Sequence, residues 1–159
     1  MEVYLVFGVI IIIFIFLFFR KDKNQIQTSV PQSIKISELK NILMILQKGD
    51  LTDNFFGITT NGDDCLYFVK ENGRNYIDYE VISTEQKKYV EELSKFYEKQ
   101  GLKIVKTTYG NAPSYDETKE APVYRIEVNS NVEEIEKIAR EVYQKVFQIK
   151  EDFEFEVVP

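Results

Sequence analysis

The sequence predicts an α+β fold: an N-terminal transmembrane helix, then a domain of order α-β-β-β-α-β-β-α with a closing strand, its strands forming an antiparallel sheet. Three observations carry this. Residues 3–19 hold no charged side chain, whereas all 20 Lys and Arg lie at or after position 20. Two Asn-Gly dipeptides, Asn61-Gly62 and Asn72-Gly73, punctuate a run of β-prone segments, and Asn-Gly is the strongest short hairpin signal. Three further stretches repeat their apolar residues at helical spacing. The expected boundaries are an anchor over residues 1–20, a juxtamembrane linker over 21–35 and a domain over 36–159.

Val3 to Phe19 reads VYLVFGVIIIIFIFLFF. It is apolar all round, with no polar face to turn outward from a soluble core. At ~1.5 Å per residue it reaches about 26 Å, close to the ~30 Å of a bilayer core. A cleaved leader would open on basic residues and end on a small-x-small site. Here Met1-Glu2 precedes the apolar run, and no such site follows Phe19. Arg20, Lys21 and Lys23 flank its C-terminal side. Because cations stay on the cytoplasmic side, the expectation is a single-pass protein of the cell membrane, touching lipid through residues 3–19. Its N-terminus is then outside and its domain in the cytoplasm.

The first domain helix is expected over Ile36 to Lys48, with Ser37 as N-cap, Leu39, Ile42, Leu43 and Leu46 as its apolar stripe, and Gly49 as its stop. Phe55 to Thr60, Cys65 to Lys70 and Asn75 to Ile82 read as a three-stranded meander. In the third strand Ile77, Tyr79 and Val81 alternate with Tyr76, Asp78 and Glu80. That alternation predicts Asp78 and Glu80 on a solvated face rather than as a catalytic carboxylate pair. Ser83 and Gln86 form a capping box for the second helix, whose stripe is Tyr89, Val90, Leu93, Phe96 and Tyr97 and whose stop is Gly101. A strand over Leu102 to Tyr109, a loop over Gly110 to Pro122 and a strand over Val123 to Val128 follow. Asn131 or Asn129 caps the third helix, with Val132, Ile135, Ala139, Val142 and Val146 on one side. Phe153 to Val157 reads as the closing strand.

This order resembles the class I type III secretion chaperones and bacterial domains of similar fold, the YbjN-like family among them. The likeness rests on the opening helix, the aromatic middle strand (LYFV, 66–69), the strand that runs into the second helix (YEVIS, 79–83), the Gly101-Leu102 helix end and the final IAREVYQKVF helix with its acidic, apolar tail. It covers residues 36–157 and is one of pattern, without a diagnostic motif. It implies a module that binds partner polypeptides and often pairs with its own copy, and not an enzyme. Those chaperones are typically soluble, so a chain with an anchor fits a tethered adaptor better than a diffusing one.

The composition removes whole classes of chemistry. The chain has no His and one Cys, so a Ser-His-Asp or Cys-His arrangement and a His-held zinc are absent. Cys65 reads as an inert core or edge residue, since a reactive thiol needs positive charge beside it and Asp63 and Asp64 precede it. Asp63-Asp64 lacks the further oxygen ligands of a calcium or magnesium site and reads as turn chemistry. No phosphate-cradling glycine motif occurs. A net charge of −6 argues against nucleic acid. No catalytic residue, metal ligand or cofactor is therefore expected. Interfaces favour tyrosine, and Tyr76, Tyr109, Tyr115 and Tyr124 are the candidate partner-binding residues. The loop bearing Ser114, Tyr115, Asp116, Glu117 and Glu120 is a second candidate. The expected function is a non-catalytic protein-binding module, chaperone-like or adaptor, with another protein or its own copy as partner. Two alternatives stand beside it: an extracytoplasmic envelope or immunity-type protein, and a carboxylate-based enzyme.

The expected orientation has a direct readout. Fused at the C-terminus of the full chain in bacterial cells, a fluorescent reporter is bright and alkaline phosphatase is silent if the domain is cytoplasmic. The opposite pair of signals places it outside.

Overall fold

Alternating apolar residues give strands a greasy and a polar side, and the strands must then align those sides to build a core. The computed structural model describes residues 30–108, 121–128, 131–150 and 153–158. Among these, seven strands form one antiparallel sheet: β1 (Ser33–Lys35), β2 (Phe55–Thr59), β3 (Leu66–Glu71), β4 (Arg74–Glu80), β5 (Ile104–Thr107), β6 (Val123–Val128) and β7 (Glu154–Val158). Three α-helices accompany them: α1 (Leu39–Lys48), α2 (Thr84–Lys99) and α3 (Val132–Lys145). The sheet order is β1-β7-β2-β3-β4-β6-β5. The closing strand β7 thus lies between the opening strand β1 and β2.

The register puts one set of strand residues on one face: Ile34 opposite Phe155, Phe56 opposite Phe68, Phe68 opposite Ile77, and Ile77 opposite Ile126. These join Leu39, Ile42, Leu43 and Leu46 of α1, Leu93 and Tyr97 of α2, and Ile135, Ala139, Val142 and Tyr143 of α3 in one buried cluster. No outward-parity residue of β2, β3 or β6 belongs to it. All three helices therefore cover the same face, and among the described residues no helix lies on the second face. At ~25 cal/mol per Å² of apolar surface removed from water, this one-sided core is the main stabilising term.

Local chemistry sets the element ends. Ser83 Oγ accepts from Gln86 N–H at 3.1 Å, and Gln86 Oε1 accepts from Ser83 N–H at 2.9 Å, the reciprocal capping box at the head of α2. Asn131 Oδ1 accepts from Glu134 N–H at 3.0 Å and caps α3. Helix α2 ends where Gly101 N–H donates to Glu98 O at 3.0 Å and Leu102 N–H to Tyr97 O at 2.9 Å. That bond pair needs a left-handed residue, and Gly101 has φ +72°. The β3–β4 hairpin closes on Asn72 and Gly73, both at positive φ, with Glu71 paired to Arg74.

Three expectations are corrected. The transmembrane helix expected over residues 3–19 lies outside the described residues, and among the described residues no helix is long and apolar enough to cross a membrane. The longest, α2, has 16 residues and reads TEQKKYVEELSKFYEK. The described residues form an α+β fold of three α-helices and a seven-stranded antiparallel sheet, in the order β-α-β-β-β-α-β-β-α-β. Residues 33–35, expected in the linker, are a strand, because Ile34 pairs with Phe155 and is buried. Ser37 does not cap α1: a 3-10 turn over Ile36–Glu38 leads into it, and the Glu38 carboxylate accepts from Lys35 N–H at 2.8 Å.

Ser83 also donates to Asp63 Oδ1 at 3.1 Å, so Ser83→Ala removes a cap and a tertiary bond together. The expected loss is about 1–2 kcal/mol, read as a lower urea midpoint at unchanged m-value.

Candidate functional site

The outer sheet face is built on Arg125. It stands opposite Asp78 in the β4–β6 register. Its Nε donates to Asp78 Oδ1 and its Nη2 to Asp78 Oδ2, both at 2.8 Å, and its Nη1 donates to Glu71 Oε2 at 2.9 Å. The guanidinium carbon lies 4.6 Å from the centre of the Tyr76 ring, a cation–π distance. The bidentate fork fits a carboxylate as no lysine could. Asp78 is fully buried. Burial raises its carboxyl above the ordinary value against the opposing pull of Arg125, and the guanidinium is held above its own by its bonds to Asp78. The pair is a structural clamp.

This corrects the reading of Asp78 as part of a solvated face. Alternation reports which side of the sheet a residue takes, not whether water reaches that side. Glu80 shares the face and is half-buried; burial alone raises its carboxyl. Neither carboxylate lines the groove described below, and Asp78 is committed to Arg125, so the two do not form an acid–base pair.

Neighbouring groups are equally occupied. The buried Asp64 carboxylate accepts from Thr59 Oγ1, Thr60 N–H and Thr60 Oγ1 at 2.5, 2.8 and 2.5 Å. The Asp63 carbonyl accepts from Tyr79 Oη at 2.7 Å, and Gln86 Nε2 donates to Gly62 O at 3.3 Å. The β2–β3 turn is thereby pinned to the head of α2, and turn chemistry accounts for both carboxylates. No group of three or more acidic or Cys residues able to hold a metal occurs among the described residues. Burial first, then nearby acids, pushes the Cys65 thiol up to about 12, which keeps it protonated. Burial likewise holds the Tyr79, Tyr97 and Tyr143 phenols above their ordinary value.

The candidate tyrosines do not form one patch. Tyr76 lies on the outer face under Arg125. Tyr124, on the next strand, faces the helices: it is paired with Tyr79 and packs against the core. Tyr109, Tyr115 and the acidic loop lie outside the described residues.

Tyr124 does border a groove. About 580 Å³ in volume, it lies between the head of α2 and the β5–β6 pair. Ile82, Val90, Pro122 and Tyr124 supply its apolar lining and Lys87 and Lys106 its charge. Ile82 is 71% exposed, yet its backbone is held: Ile82 N–H donates to Gln86 Oε1 at 2.6 Å, and the preceding Val81 N–H to Pro122 O at 2.9 Å. Ile82 was missed as a binding residue, and a signal for it exists. An apolar residue before a helix cap normally packs on the fourth helical position. Here that position is Lys87, so the apolar partner the staple normally uses is missing.

In comparisons with known proteins, no family model, no curated protein and no solved structure matches this chain.

Two outcomes test the site's electrostatics. Arg125→Met leaves the buried Asp78 charge unpaired and costs about 3 kcal/mol or more, while adding Asp78→Leu recovers most of that loss; denaturant unfolding of both variants measures it. Because the folded state holds the Glu80 proton more tightly than the unfolded chain, Glu80 detracts from stability as pH rises from its ordinary value through its raised one. Glu80→Gln therefore melts with the parent near pH 4 and above it at pH 7.

Proposed function

We propose that this domain is a non-catalytic protein-binding module, chaperone-like or adaptor in kind. One observation carries the reading: Ile82 stands largely exposed on a hydrogen-bonded backbone, in a groove lined by apolar and polar side chains together. Scattered surface apolar residues are ordinary, whereas contiguous apolar patches with polar rims mark interaction sites. The committed state of the ionisable groups supports the same reading. Asp78, Arg125, Asp64 and the buried phenols are used in structural bonds or held protonated, so none is poised as a base or nucleophile.

Site-specific photocrosslinking in the full chain, in cells, tests it. The reactive group is placed in turn at the exposed apolar positions Met44, Ile82, Val105 and Phe153. A repeatable adduct with one protein, or with a second copy, from any position supports the module. Four positions that yield only light-independent background overturn it.

A further inference from the structure

We infer that Asn72 is a site of spontaneous covalent modification in this chain: its side-chain amide is lost by ring closure onto the Gly73 backbone nitrogen. Asn61, in the same Asn-Gly dipeptide, is held unreactive by its hydrogen bonds.

The step balances with water alone. Hydroxide takes the Gly73 amide proton, and the nitrogen attacks Asn72 Cγ. The bond from Cγ to the side-chain nitrogen breaks, and that nitrogen leaves as ammonia with a proton from water. A second water opens the five-membered imide. Opening at Cγ restores the ordinary main chain and leaves aspartate. Opening at the backbone carbonyl leaves isoaspartate, with the main chain rerouted through the side chain. Asparagine is the thermolabile member of the pair, and glycine has no Cβ to crowd the attacking nitrogen.

Both dipeptides are exposed, so access to water does not separate them, whereas hydrogen bonding does. At the β2–β3 turn the nucleophile and the electrophile are both engaged. Gly62 N–H donates to Thr59 Oγ1 at 2.7 Å, and Asn61 Oδ1 accepts from Asp63 N–H at 2.9 Å. The turn is also fastened from outside, because Gly62 O accepts from Gln86, and Asp63 accepts from Tyr79 and Ser83. Ring closure there has to break these bonds together.

At the β3–β4 turn, among the described residues, neither the Asn72 amide nor Gly73 N–H has a hydrogen-bond partner. Ring closure requires rotation about the Asn72 Cα–C bond, which opens the turn. The Glu71–Arg74 pair closes the hairpin behind it, and such ends lie at the low end of the local-opening scale. The two products then differ in consequence. Aspartate tolerates the left-handed conformation of Asn72, at φ +51°. Isoaspartate adds a main-chain carbon to a two-residue turn and disturbs the Glu71–Arg74 pair, and Glu71 is one of the two carboxylates held by Arg125.

The test incubates the full chain, purified in a non-ionic detergent, at neutral and mildly alkaline pH. Peptide mass spectrometry follows each dipeptide, and enzymatic methylation of the freed carboxyl reports isoaspartate. A parallel sample in urea gives the rate of each dipeptide without the fold. The two convert at similar rates in urea, and in the folded chain Asn72 converts at least several-fold faster than Asn61. Thr59→Val, which removes the acceptor of Gly62 N–H, speeds conversion at Asn61 and leaves Asn72 unchanged, while Asn72→Gln silences the β3–β4 turn. The comparison within the parent chain decides the matter even where Thr59→Val does not fold. The assignment is overturned if Asn61 keeps pace with Asn72 in the folded chain. It is equally overturned if Asn72 stays intact there while the sample in urea converts.

Discussion

Among the described residues every helix lies on one side of the sheet, and on the other side Arg125 ties β6 to β4 and β3. One guanidinium binds two carboxylates, one of them fully buried, and lies within cation–π distance of Tyr76. Taking a carboxylate out of water costs several kcal/mol unless its geometry and remaining lone pairs are satisfied. The bidentate contact supplies that geometry across the β4–β6 pair, near one end of the sheet order. Close packing continues along the same row. A Cβ at Gly57 would come within 2.9 Å of the Tyr67 ring and 2.6 Å of Val158, so the absent side chain is what lets Tyr67 lie across β2. The described part of the outer face is thus packed with interlocked polar and aromatic groups.

The head of α2 is the second place where several constraints meet. Gln86 caps the helix, receives Ile82 N–H, reaches the Gly62 carbonyl and offers its own carbonyl to Tyr79 at 3.2 Å. The β2–β3 turn, the end of β4 and the start of α2 are fastened together through that residue and Ser83. Ile82 is held in their midst with its side chain outward. Its backbone N–H is bonded to Gln86, the residue that also caps the helix, so the position of the isoleucine is tied to the head of α2.

Features that depend on neighbours in sequence were legible. The capping box at Ser83 and Gln86, the Gly101 stop, the Asn72-Gly73 hairpin and the stripe of α3 all follow from spacing of a few residues. Features that depend on distant partners were not. Strand β1 is three residues, Ser-Ile-Lys, in a polar stretch, and becomes a strand only because Phe155 lies opposite Ile34. The burial of Asp78 needs Arg125, 47 positions away, and alternation cannot report it. Tyr76 and Tyr124 were both candidates, yet they sit on opposite faces of paired strands, because the register sets Tyr124 opposite Tyr79 and Tyr76 opposite Glu127, which the sequence of either strand alone does not report. Ile82 carried a readable signal in the lysine at the fourth position of α2.

The position of β7 also sets the order in which the domain can be completed during synthesis. It follows α3 in the chain, yet it inserts between β1 and β2. Until it has left the ribosome, β2 shows a bare row of backbone donors and acceptors, and β1 has no strand to join. The half-built sheet is therefore sticky along that edge. The arrival of Phe155 and Val157 closes that edge, so the last strand to be made is the one that completes the sheet.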